Sequence, residues 1–194
     1  SLLSIKVKYI AILAALVNSA TDNSSTITIT EDDALPILSV SAANTAEDNG
    51  SMVLTVDISE ESAFVTNFTL STSSSLINPA TAGTDYTSFT NAPYSIAAGQ
   101  TSTTINVPIT DDSISEPDLE TFTVTVANSD NNSGTGANSS TIVGILDNDD
   151  DPFVNIATTT VGSEDNATAN IIVSLSAPSE KVTSVNFATS NAKV

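Results

Sequence analysis

The chain has 194 residues, with 4 Lys and Arg against 23 Asp and Glu, no His, no Cys and no Trp, and a formal net charge of −19. These absences exclude a Ser-His-Asp triad, a cysteine nucleophile, a histidine general base and a conventional zinc or haem site. The charge disfavours nucleic acid and anionic membranes as partners and favours small cations.

Short runs of alternating apolar and polar residues predict β-strands throughout the chain. They occupy residues 27–30, 52–58, 64–70, 104–109, 122–126, 141–146 and 169–175. The stretches between them, such as Glu47–Gly50 and Ala82–Asp85, are rich in turn-forming residues. Strands joined by turns without a helical period predict an all-β fold of antiparallel sheets, most simply a β-sandwich. The composition, rich in Ser, Thr and Asn and poor in Lys, favours a location outside the cell.

The chain also repeats itself. Glu31–Val40 reappears as Asp147–Ile156, and Glu47–Gly50 reappears as Glu164–Ala167. A period of about 116 residues is the size of one sandwich domain, which indicates a tandem array. We therefore expect a complete domain at 35–151, the last strands of a preceding repeat at 1–34, and the first strands of a following repeat at 152–194.

The N-terminal segment has two interpretations. Lys6 and Lys8, followed by an apolar run and Asn18-Ser19-Ala20, resemble a signal peptide. Against this, Leu16–Ile27 parallels Val126–Ile142 in its Asn-Ser and Asn-Ser-Ser-Thr-Ile segments, which favours the last strands of a repeat. The apolar run is too short to cross a bilayer as a helix.

Acidic residues concentrate where the predicted strands end. One loop carries five of them between Asp111 and Glu120, and four more lie between Asp147 and Asp151. Alternate loops of an antiparallel sandwich gather at the same end, so these carboxylates are expected to converge. Calcium takes six to eight oxygen ligands in irregular geometry and suits such a site better than magnesium. An EF-hand is excluded, because Pro152 and Thr158 stand where its loop requires Gly and Glu.

An ordered series of motifs resembles the Calx-beta domain family. The series is Ala82-Gly-Thr-Asp-Tyr86, Ala98-Gly-Gln100, Ile105-Asn-Val-Pro-Ile-Thr-Asp-Asp112, Glu116-Pro-Asp-Leu-Glu-Thr-Phe122 and Ile145-Leu-Asp-Asn-Asp149. The resemblance implies an immunoglobulin-like sandwich of about seven strands with calcium held at one end. Such domains occur in sodium/calcium exchangers, in an integrin subunit and in tandem within large bacterial surface proteins.

The resemblance also implies a set of calcium ligands. Carried over by position, they are Glu47, Asp85, Asp111, Asp112, Glu116, Glu120, Asp147 and Asp149. Leu119 lengthens the acidic run, which leaves open whether Asp118 or Glu120 points inward, and Asn148 replaces an Asp of the final triplet. For each residue the alternative is a solvated loop charge or, for Asp85, a turn cap. As a group, carboxylates this close together would repel one another without a bridging cation.

These observations predict an extracellular or cell-surface calcium-binding module of structural or adhesive function. Its partners would be calcium, neighbouring repeats or copies of itself, and a cell-surface or matrix ligand, and calcium would rigidify the junctions between repeats. The alternative is a self-assembling fibre subunit, in which the terminal pieces of different chains complete one another by strand complementation. A glycoside hydrolase has only the acid abundance in its favour, so we expect no enzyme. A sugar-binding role would use Tyr86 and Tyr94, which are more simply explained as packing residues.

Overall fold

The computed structural model describes residues 34–130, 133–136, 138–157, 165 and 170–190. Up to Leu146 it contains a 3₁₀ turn at Glu47–Asn49 and nine strands, β1 to β9. They are Ile37–Ala42, Thr45–Ala46, Ser51–Ile58, Thr66–Ser74, Ala92–Ile96, Ser102–Pro108, Glu120–Asn128, Gly134–Thr135 and Ser140–Leu146. Seven of these strands have five or more residues, as expected. The strand predicted at 27–30 and nearly all of the predicted piece 1–34 lie outside the described residues.

Two sheets form a β-sandwich, which confirms the predicted fold class. One sheet has the order β6-β3-β1-β8 and the other β2-β9-β7-β4-β5. The chain changes sheets between β1 and β2. Neighbouring strands are antiparallel except for two short parallel pairs, β1 with β8 and β2 with β9.

The core lies between the sheets and follows from the period of two along the strands. In β3, Met52, Leu54, Val56 and Ile58 are buried while the residues between them are not. In β7, Phe122, Val124 and Val126 are buried in the same way. The ring of Tyr86 stacks on that of Phe122 with centroids 4.0 Å apart. Tyr86 is thus a core residue rather than a sugar platform.

Three strand predictions needed correction. The run predicted at 169–175 is a strand only at Val173–Leu175, and residues 170–172 are not in a strand. The run predicted from residue 64 begins as a strand only at Thr66, with Phe64 exposed, and continues to Ser74 because it pairs with β7 that far. β5 was not predicted, because Pro93 argues against a strand except at the edge of a sheet, and β5 lies at such an edge. It forms because β4 offers it an edge for antiparallel pairing.

Beyond the sandwich, β10 (Val154–Ile156) and β11 (Val173–Leu175) form a separate antiparallel pair. Val154 pairs with Leu175, and these residues align in the sequence repeat with Leu38 and Ile58, which pair in the sandwich. Unlike their counterparts, the apolar residues of this pair are exposed. The division into three repeats stays a prediction. Within the described ranges, no helix is long and apolar enough to cross a membrane.

Candidate metal centre

The acidic loops meet at one end of the sandwich, as predicted. β3 and β7 begin there, and β6 and β9 end there. Gly50 ends the turn after Glu47 with φ of 67°, a left-handed conformation that favours glycine. The amide of Ile109 donates to the carbonyl of Gly50, and that of Thr110 donates to the carbonyl of Asp85. These backbone bonds hold three acidic loops together.

The first cluster of carboxylates consists of Glu47, Asp147 and Asp149. One oxygen of each lies within 4.8 Å of the others. Glu47, only 3% exposed, accepts a hydrogen bond at Oε1 from the amide of Asp112. Asp147 accepts at Oδ2 from the amide of Glu116, 3.1 Å away, and at Oδ1 from that of Asp149, 3.2 Å away.

Two oxygens of this first cluster are buried without a hydrogen-bond partner among the described residues. They are Oε2 of Glu47 and Oδ2 of Asp149. A buried oxygen without a partner is costly, because folding has removed it from water without replacing the lost hydrogen bonds. A bound cation would supply the missing interaction, so the donor set fits a hard metal ion such as calcium.

The second cluster consists of Asp85, Glu116 and Glu120, all of them buried, with one oxygen of each again within 4.8 Å of the others. Asp85 accepts a hydrogen bond from the amide of Thr81, so it also closes its own turn. Its buried side chain nevertheless points to Glu120, with which it shares a hydrogen bond. Asp85 therefore both caps its own turn and belongs to the second cluster.

Burial, with neighbouring acids as a smaller cause, raises the pKa values of the three glutamates. Burial, followed by the charges of neighbouring acids, raises the pKa of Glu116 from 4.5 to about 7. Burial raises the pKa of Glu47 to about 7, although the hydrogen bond from the amide of Asp112 lowers it. For Glu120, burial and then the hydrogen bond to Asp85 raise the pKa to about 8. Each glutamate therefore resists ionisation unless positive charge is supplied nearby.

Asp111 and Asp112 lie beside the clusters and belong to neither group of three. Both are exposed. Oδ1 of Asp112 accepts from the amide of Ile114 at 2.7 Å, and Oδ1 of Asp111 accepts from the side chain of Asn148 at 3.4 Å. Both carboxylates raise the pKa of Glu47 through their charge. The structure thus gathers six of the eight predicted ligands into two groups and places the other two at their border.

The structure shows which of Asp118 and Glu120 points inward. Glu120 is buried, whereas the side chain of Asp118 is 98% exposed. Asp118 forms an ion pair with Lys181, whose Nζ lies 3.3 Å from Oδ1. The sequence analysis missed Lys181, although it is the only Lys between residues 9 and 192. Its isolation in so acidic a chain was the available signal.

These features define an all-β sandwich module with two groups of carboxylates at one end. The sequence profile of the Calx-beta domain matches residues 31–149, more than half of the chain, so the chain belongs to the Calx-beta domain family. No curated protein matches it significantly.

Solved structures of similar fold include the apo form of the Calx CBD1 domain. It is 18% identical, with a TM-score of 0.50, and the match covers 58% of this chain and 99% of that one. CBD12 from CALX1.2 is 18% identical, with a TM-score of 0.51 and coverage of 58% and 44%. The calcium binding domain CBD12 of CALX1.1 is 18% identical, with a TM-score of 0.50 and coverage of 62% and 50%. At this identity the likeness establishes the fold alone.

Proposed function

We propose that the chain is a calcium-binding structural and adhesive module of an extracellular tandem array. The buried oxygens of Glu47 and Asp149 without hydrogen-bond partners carry the proposal. They lie at the end of a domain, residues 35–151, that contains no Lys or Arg to neutralise them. The eight acidic residues that the family resemblance implies as ligands contribute enough oxygens for one or more calcium ions. Its chemistry is coordination rather than catalysis.

Calcium at this end would stiffen the link to the following segment. Asp147 and Asp149 lie between the last strand of the sandwich and β10, which begins at Val154. The amide of Glu180 also donates to the carbonyl of Ser115, 3.0 Å away, so that segment contacts a second acidic loop. An ion that fixes both loops therefore restricts the junction. Support for a repeat array comes from the shared register of the β10–β11 pair and the β1–β3 pair.

Calorimetric titration with calcium, and with magnesium as a control, tests this function. Asp149→Asn removes a charge from the first cluster and should weaken calcium binding at least tenfold. Asp150→Asn makes the same change at an exposed neighbour and should have a much smaller effect. A dissociation constant near 10⁻⁴ to 10⁻³ M, roughly the range of extracellular modules, would support the proposed location. Absence of calcium binding would refute the function, and a submicromolar constant would refute the extracellular location.

The second candidate function is self-assembly by strand complementation. The observation that favours it is the exposed apolar surface of the β10–β11 region, where Phe153 is 76% exposed and Ile156 63%. Late strands of a repeat would cover this surface, and residues 16–27 resemble such strands in sequence. Sedimentation of the full chain at increasing concentration would then reveal growing oligomers that Phe153→Ser abolishes. Ile142→Ser, at an exposed apolar residue of the sandwich, is the control. A monomer at all concentrations would exclude this function.

A further inference from the structure

The segment after β11 places a cation against the first cluster. Nζ of Lys181 lies 2.9 Å from Oδ1 of Asp151, 3.3 Å from Oδ1 of Asp118 and 3.8 Å from Oδ2 of Asp147. Asp147 is a member of the first cluster, and its side chain is only 4% exposed. The ammonium group therefore lies against Oδ2 of Asp147, the oxygen that also accepts a hydrogen bond from the amide of Glu116.

Backbone contacts, rather than this ion pair alone, hold the segment in place. Ser115 and Ser179 form a parallel bridge, the hydroxyl of Ser179 donates to the carbonyl of Ser115, and the amide of Ser115 donates to the carbonyl of Pro178. Ser115 is 1% exposed, and its hydroxyl donates to Asp151. Because the backbone is fixed independently, the Lys181 side chain can leave Asp147 without undocking the segment.

We propose that Lys181 is a built-in counter-ion that competes with calcium for Asp147 and so sets the calcium affinity of the first cluster. This inference rests on the proposed calcium-binding function. With calcium absent, the ammonium group offsets part of the negative charge of Asp147, Asp151 and Asp118. The positive charge of Lys181 repels a calcium ion at this site. When calcium binds, the ammonium group must leave Asp147. A residue outside the sandwich thereby tunes the calcium concentration at which the site fills.

The size of the effect follows from charge and screening. A unit charge about one side-chain length from a divalent ion, with a dielectric constant close to that of water between them, changes the dissociation constant of the ion roughly threefold to tenfold at low salt. The Debye length falls from about 10 Å at 0.1 M salt to about 3 Å at 1 M. The effect of Lys181 on calcium binding should therefore decrease steeply between these salt concentrations.

Calcium titration of the full chain, its K181M variant and its K181R variant tests the proposal. At low salt, K181M should bind calcium threefold to tenfold more tightly than the native chain, and the difference should shrink in 1 M salt. K181R keeps the charge and should stay close to the native affinity. In chelator, K181M should also unfold at a lower temperature than the native chain, because the acidic loops lose their counter-ion.

Two failures are distinguishable. If K181M binds calcium no more tightly than the native chain, the competition is refuted while calcium binding stands. Tighter binding by K181R to the same extent as by K181M would also refute it, since the charge would then not be the cause. If none of the three proteins binds calcium, the proposed function itself is overturned, and the competition with it.

Discussion

Replacement of Glu116 by glutamine tests the charge imbalance at the end of the sandwich. Glutamine keeps the size of the side chain and removes its charge. Burial and the neighbouring Asp85 and Glu47 raise the pKa of Glu116 from 4.5 to about 7. One pKa unit corresponds to about 1.4 kcal/mol, so ionisation of this carboxyl in the calcium-free fold costs at most about 3–4 kcal/mol. The variant should be more stable than the native chain by up to this amount at pH 8.

The pH dependence of this gain has a definite sign. The pKa of Glu116 is higher in the folded state than in the unfolded state, so the folded state binds the extra proton. The cost is absent below about pH 4.5, grows as the pH rises and is complete above about pH 7. The stabilisation by Glu116→Gln should follow the same course and vanish in acid.

Urea unfolding in chelator at pH 8 and at pH 4, followed by circular dichroism, measures the effect. Glu60→Gln is the matched control, because Glu60 is exposed and follows β3 at the opposite end of the sandwich, more than about 20 Å away along the strand. Calcium should reverse the order of stability, since the native chain keeps a carboxylate that we propose as a calcium ligand and the variant does not. If Glu116→Gln is no more stable than the native chain in chelator at pH 8, the account of Glu116 as a buried carboxyl whose ionisation destabilises the calcium-free fold is incorrect.

Three further outcomes are expected. Gly50→Ala should lower the free energy of unfolding by about 1 kcal/mol, because φ of 67° strains alanine; an unchanged urea midpoint would contradict this. Phe122→Ala should cost about 3–5 kcal/mol, because the ring is fully buried and stacked on Tyr86, whereas the exposed Phe64→Ala should change the urea midpoint little; equal effects would disprove the assignment of the core. Lowering the pH from 8 to 5 should weaken calcium binding in calorimetric titrations, as protons occupy the glutamates whose pKa values are raised; a constant affinity would argue against those glutamates as ligands.

The sequence was sufficient to predict the sandwich because its long strands alternate apolar and polar residues. Phe122, Val124 and Val126 show this period in the sequence and are buried together in the structure. β5 was missed because its run is short and contains Pro93, which is compatible with a strand only at a sheet edge, here the edge beside β4. Local pattern is informative about which face of a strand is buried, and it carries no information about which edge is available.

The end of the sandwich that gathers the acids was predictable, but their grouping was not. Turn composition and strand ends place Glu47 and Asp147 at that end, yet their approach to within 4.8 Å depends on how the two sheets stack. The contact of Lys181 with the acidic end could not be predicted for a different reason. Its contact with Asp147 spans two parts of the chain joined by the pairing of Ser115 with Ser179, which neither segment indicates locally.

The two parallel pairs, β1 with β8 and β2 with β9, would affect how the sandwich responds to a force applied along the chain. They join the first strands of the domain to its last ones. A pull applied at both ends of the chain slides parallel partners past each other, so their hydrogen bonds are loaded in shear together instead of opening one at a time. The same load then passes from β9 directly through Asp147–Asp151, the segment that also carries the carboxylates of the first cluster. Under such a load the acidic end would lie on the path of the force.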